Sequence, residues 1–223
     1  MARPIPYQQK TTDLLTNAAV YHANFYQAQT FSGPSLHFHQ RALATWNHAN
    51  LNPCLEHIYA TLASWGMHRM GQGGSKMKPF ADFTASVIPL TADIVAARAY
   101  SFTAMTPQNW GLVERIFKAI EVMASNTSLV GNSKVMAHLM PNIIPPIDRN
   151  YTLKFLKGDV SIKNDLHGEW LLMREIIEKL FIPVASDPNF ALQASIWMNA
   201  PNQFPWDTSI FKVIDNLIIG AMK

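Results

Sequence analysis

The stretch LVGNSKVMAHLMPNIIPPIDRNYT, Leu129 to Thr152, decides how the chain is read. It sets a glycine, a lysine, two adjacent prolines and an aspartate close together, with apolar residues in the gaps. Ser125 to Ser128 are turn and capping residues that close the preceding segment, Gly131 can turn sharply, and Ser133 is placed to cap the helix that Lys134 enters. Val135, Leu139 and Met140 then face a core, while Lys134 and His138 lie four apart on an adjacent face. Pro141 ends the helix. Pro145-Pro146 imposes an extended path that delivers Asp148 at a stiff exit.

Apolar residues recur at helical spacing outward in both directions. Upstream, Leu14, Leu15, Ala18, Tyr21, Phe25 and Tyr26 predict a helix over Thr12 to Gln29, broken at Ser32-Gly33-Pro34, where Pro34 restarts the chain in a first turn. Further helices are expected from Asn50 through Trp65, over Phe80 to Phe102 with Pro89 as a break, and over Trp110 to Met123. Downstream, Tyr151 to Leu156, Glu169 to Phe181, Phe190 to Met198 and Thr208 to Met222 follow. Two-residue alternation is scarce, so the expected class is all-α. The expected architecture is one globular unit over 1–223, a compact bundle of two discontinuous helical lobes with a cleft between them. Residues 124–152 supply its hairpin and the aspartate segment.

A hydrophobic fraction of 48% with 15% charged residues excludes a disordered chain. Eighteen basic against fifteen acidic residues give +3, and the first hundred residues, with seven basic and four acidic, hold the whole excess. That charge allows nucleic acid as a partner, but with no Lys/Arg tail any binding must come from folded geometry. The single cysteine, Cys54, cannot form an internal disulfide. The N-terminus lacks a signal-peptide pattern, and the apolar runs Ile143 to Ile147 and Leu217 to Ile219 are too short to span a bilayer. A cytoplasmic or nucleoid location is expected, with no membrane and no obligate protein partner.

The segment GMHRMGQGGSKMKP, residues 66–79, interrupts the helices with four glycines and three cations, Arg69, Lys76 and Lys78. Backbone N–H groups beside such cations suit a phosphate. A plain helix connector is the other reading, since neither P-loop nor dinucleotide spacing is present. His37-x-His39 lacks the partners of a metal site, and no His-Glu-x-x-His motif occurs, so no metal is expected.

On the residues quoted first, the chain resembles the helix-hairpin-helix superfamily of DNA glycosylases, which includes endonuclease III and the 8-oxoguanine glycosylases. Leu129-Val130-Gly131-Asn132-Ser133-Lys134 looks like the hairpin and its lysine, and Pro146-Ile147-Asp148-Arg149 looks like the aspartate segment. Val130 and Ser133 stand where that family usually has a proline and a second glycine. The resemblance implies a hairpin that touches the DNA backbone through Gly131, Asn132 and Ser133, a Schiff-base lysine at Lys134 and an assisting aspartate at Asp148. It implies double-stranded DNA with a damaged base as partner and no cofactor, since a lone cysteine leaves no four-cysteine cluster.

The pair suits base excision chemically. A neutral lysine attacks the sugar C1′, while an anionic aspartate stabilises the oxocarbenium-like charge as the base departs. An extruded base needs aromatic walls, for which Trp65, Tyr151, Trp170 and Trp206 are the candidates. Arg149, Arg69 and Lys76 are candidate phosphate contacts. The expected activity is a DNA glycosylase or glycosylase-lyase. The competing reading is a non-catalytic helical nucleic-acid-binding or structural protein, in which Lys134 merely reaches from a packed helix to pair with Asp148.

Overall fold

In the computed structural model of the chain, residues 4–28, 33–68, 70–71, 74–125, 127–162 and 165–223 are described. The fold is all-α, as the periodicity predicts. The first helices are α1 (Tyr7–Thr16), α2 (Ala18–Ala28), α3 (Pro34–Ala44) and α4 (Asn52–Leu62). After a pairing of Met70–Gly71 with Gly74–Ser75 come α5 (Phe80–Val87), α6 (Thr91–Arg98), α7 (Pro107–Ala119) and α8 (Leu129–Leu139). The chain closes with α9 (Lys154–Lys157), α10 (Leu166–Ile176), α11 (Ile182–Ser186), α12 (Pro188–Met198) and α13 (Ile210–Ala221).

Side-chain chemistry sets many of the boundaries. The helix expected over Thr12 to Gln29 divides at Asn17, whose amide donates to the Asp13 carbonyl and carboxylate at 3.1 and 2.9 Å. Such local bonding competes with the helix ladder. Pro89 places a single tight turn, Ile88–Leu90, between α5 and α6. Thr106 and Asn109 form a reciprocal capping box at the start of α7, and Asp165, Asp187 and Ser209 cap α10, α12 and α13.

One contiguous apolar core runs from Tyr7 to Ile218, with a small satellite of Phe25, Trp206 and Ile219 beside it. Helix α13 is the most buried element: every residue from Phe211 to Gly220 is buried. It lies directly on α2, where a Cβ placed on Gly220 would meet the Tyr21 carbonyl oxygen at 1.9 Å. Phe80–Arg98 is, by length and composition, apolar enough to cross a membrane, and 22% of that window is buried. Sequence reading of short apolar runs passed over this span; here Phe83, Val87, Ile94 and Ala97 face the core.

Candidate functional site

The stretch quoted first folds into α8, a turn and an extended exit, but not into a hairpin. Gly131, Asn132 and Ser133 lie inside the first turns of α8 and are buried, so they present no backbone N–H to DNA. Each makes a packing contact instead. A Cβ on Gly131 would come within 2.6 Å of Met123 Cγ and 2.8 Å of Val122 Cγ1, so the absent side chain lets α8 press on that strand-like segment. The Asn132 amide donates to the Phe117 and Ile120 carbonyls at 2.8 and 2.9 Å, closing the end of α7.

Ser133 has the role that matters for the site. Its hydroxyl accepts the Ile147 N–H at 3.1 Å and donates to the Val130 carbonyl at 3.2 Å. Ser133 precedes Lys134, and Ile147 precedes Asp148, so this bond fixes the two chemical residues relative to each other. Pro145 and Pro146 hold the exit extended through the core, where an unpaired N–H would be costly and proline has none. The start of α8 is held by buried Glu169 of α10, whose carboxylate accepts the Ser128 and Leu129 N–H groups. Burial raises the Glu169 carboxyl, against those two bonds and the charge of Arg149.

Lys134 Nζ and Asp148 Oδ2 meet at 2.8 Å, with side chains 9% and 25% exposed. Asp148 Oδ1 also accepts the Asn150 N–H at 2.8 Å, and the Asp148 N–H donates to Thr152 Oγ1 at 3.1 Å. Burial alone would raise the Asp148 carboxyl. The Lys134 charge and hydrogen bond, with the N–H groups of Asn150 and Tyr151, outweigh it and hold the carboxyl below the usual carboxylate range.

Both groups open into one cavity of about 240 Å³. Its aromatic walls are Trp65, Tyr151, Trp206 and Phe25, and the Lys134 ammonium lies 5.3 Å from the centre of the Trp65 ring. Lys212 and Asp215 of α13 line the same space. Of the four aromatic residues expected as walls, Trp65, Tyr151 and Trp206 line this cavity. Trp170 is the correction: it is 1% exposed in the main core, 6.1 Å from Trp110 and 5.7 Å from Phe117 ring to ring, because α10 turns it toward α7.

Two of the expected phosphate contacts, Lys76 and Arg149, are not among the residues that line the cavity. Lys76 is exposed on a segment that pairs with residues 122–124, where its carbonyl accepts the Ala124 N–H at 2.9 Å. Arg149 is half-buried and acts on Glu169. Arg69 lies outside the described residues.

Behind Lys134 runs a relay of neutral imidazoles. The Lys134 carbonyl can only accept, so His138 Nδ1 donates to it at 2.7 Å and leaves Nε2 bare. His39 Nδ1 donates to that nitrogen at 2.9 Å, and Thr208 Oγ1 donates to His39 Nε2 at 3.0 Å. Burial holds both rings neutral, lowering His39 well below its ordinary value and His138 to about 4. His39 is thereby engaged with His138 and Thr208, while His37 on the same helix is exposed.

Sequence reading missed Phe25, Lys212 and Asp215. A signal was available for the last two, since Lys212 and Asp215 are charges three apart in the largely apolar IFKVIDNLIIGA. No family model, no curated protein and no solved structure matches the chain.

Proposed function

We propose that the chain is a DNA glycosylase that excises a damaged base, with Lys134 and Asp148 as its reactive pair. One observation carries this reading: an amine and a carboxylate 2.8 Å apart share a cavity walled by Trp65, Tyr151 and Trp206. A volume of about 240 Å³ falls below the roughly 300–1,000 Å³ of pockets for drug-sized ligands, which suits a single extruded base. Flat rings stack on such walls, and the cost of extrusion is least for damaged or mismatched bases.

The chemistry follows from the charges. As the glycosidic bond breaks, its electron pair leaves with the base, and Asp148, held anionic, stabilises the positive charge left on C1′ and the ring oxygen. The Lys134 ammonium gives one proton to the departing base. Its freed amine then bonds to C1′, one proton passes from that nitrogen to O4′ as the C1′–O4′ bond opens, and the protonated imine of a glycosylase-lyase results. If water takes C1′ instead, the enzyme is monofunctional.

The test is twofold. Borohydride trapping on duplexes with damaged bases or an abasic site should give a covalent product that Lys134→Ala abolishes. Glycosidic cleavage measured separately should be lost in Asp148→Asn. Absence of cleavage across a damaged-base panel would refute excision and favour a helical nucleic-acid-binding or structural protein. The burial of Gly131, Asn132 and Ser133 speaks for the structural form of that second reading, because it removes the expected backbone contact with DNA.

A further inference from the structure

The cavity holds a second charged pair that the excision chemistry leaves unused. Lys212 and Asp215 are 7% and 4% exposed, and both line the cavity. An ammonium carries three hydrogens. Asp215 Oδ2 at 2.7 Å and Asn216 Oδ1 at 2.6 Å accept two of them, and the third has no acceptor among the described residues. Asp215 Oδ1 likewise has no donor among the described residues. Asn216 is itself fixed, since its amide donates at 2.7 Å to Asp207 Oδ1, while Asp207 Oδ2 pairs with His22 Nε2 at 2.7 Å. The pair thus offers one donor beside one acceptor from a rigid wall, next to the faces of Trp206 and Phe25, whose centres lie 5.5 and 5.6 Å from Lys212 Nζ.

We propose that Lys212 and Asp215 read the edge of the extruded base, selecting bases in which a ring carbonyl adjoins a ring N–H. This rests on the excision reading and names its substrate class. The carbonyl accepts the third hydrogen of Lys212, and the adjoining N–H donates to Asp215. In such an edge the oxygen and nitrogen are about 2.3 Å apart by amide bond lengths. Asp215 Oδ2 lies 2.7 Å from Lys212 Nζ and keeps a second lone pair, so two near-parallel bonds fit at that spacing, in the manner of bidentate base readout.

An adenine-type edge sets an amino group against the ammonium and a bare ring nitrogen against the carboxylate, leaving the third hydrogen of Lys212 and a lone pair of Asp215 without partners. Uracil, hypoxanthine and 8-oxoguanine share the selected edge. Guanine and thymine share it too, and are disfavoured by the greater cost of extruding a well-paired base.

The experiment measures binding of the full chain to non-cleavable duplexes carrying 2′-fluoro nucleosides of uracil, hypoxanthine or 8-oxoguanine. Each is compared with its counterpart methylated at the ring N–H, and a duplex with a tetrahydrofuran abasic analogue is run alongside. For at least one of the three bases, methylation should weaken binding roughly 5- to 100-fold. The base that responds separates deaminated from oxidised sources. Asp215→Asn should erase that difference while keeping affinity for the abasic duplex. Should this variant fail to fold, the methylation comparison on the native chain still decides. Equal binding of parent and methylated bases, with the abasic duplex bound, overturns edge reading and leaves excision standing. Failure to bind any duplex, the abasic one included, overturns both.

Discussion

Replacing Asp148 with asparagine tests the ion pair most directly, because it removes the charge and keeps the shape. The amide oxygen of the new side chain can still accept the Asn150 N–H that Asp148 Oδ1 takes now, so the turn that follows stays capped. What is lost is the partner of an ammonium whose side chain is 9% exposed. Breaking a fully buried pair costs about 3–5 kcal/mol. Asp148 keeps 25% of its side-chain surface and Lys134 retains the face of Trp65, so the cost should lie near 2–3 kcal/mol at neutral pH.

The pH dependence of that difference isolates the cause. The folded carboxyl titrates below its ordinary 3.8. Its contribution is therefore complete above the unfolded value and disappears as pH falls through the folded one. Urea unfolding of both proteins from pH 7 to pH 3 should show a gap that is constant at the upper end and closes as the carboxyl protonates. Subtracting one curve from the other removes groups that do not sense the Asp148 charge, including Glu169, whose carboxyl is raised by burial. A gap that stayed constant to pH 3 would refute the ion pair as the source. Excision, where present, should fall about 100-fold or more in the same variant.

Ser133→Ala removes the bond between α8 and the Asp148 exit and should cost about 1–3 kcal/mol in urea unfolding. It should also slow excision with Lys134 and Asp148 both intact, and unchanged excision would remove Ser133 as the positioning residue. Gly220→Ala forces a methyl against the Tyr21 carbonyl, 1.9 Å from the ideal Cβ, and should destabilise by about 2–3 kcal/mol or more in thermal unfolding. The double change Lys212→Met with Asp215→Leu replaces a buried ion pair with apolar groups, a swap that is often neutral or stabilising by about 1–4 kcal/mol. It also leaves Asn216 Oδ1 without a donor at about 1–3 kcal/mol, so stability should move by no more than about 3 kcal/mol. A larger loss would assign that pair to holding the fold.

The helices were legible because apolar spacing survives any detail of packing. The breaks at Pro34, Pro89 and Pro141 were legible because proline acts locally. The pairing of Lys134 with Asp148 was expected from a short motif, and Ser133 bonded to Ile147 is the physical reason for it. The hairpin failed for a reason outside the motif. Gly131 reads as a turn residue when seen alone, yet its missing side chain serves the approach of Val122 and Met123, and Glu169, forty residues away, holds the start of α8. Trp170 failed similarly, since an aromatic residue's environment depends on which helix it faces. Lys212 and Asp215 escaped notice because α13 looked like core, which it is.

The wall that carries this second pair cannot be separated from the fold. Lys212, Asp215 and Ile219 recur at three- and four-residue spacing on α13, which lines them up on one helical stripe facing the cavity. Gly220 follows Ile219 and sits against α2, with the Phe25 backbone nitrogen 3.1 Å from the position of a Cβ. Close approach of the two helices is what carries the Phe25 ring into the cavity beside Trp206 and Ile219. A bulkier residue at 220 therefore acts twice, lowering stability and withdrawing an aromatic wall from the space that Lys134 and Asp148 share. The burial of ten consecutive residues of α13 gives the site its rigidity: the same contacts that make the helix core leave Lys212 and Asp215 little freedom except toward the cavity.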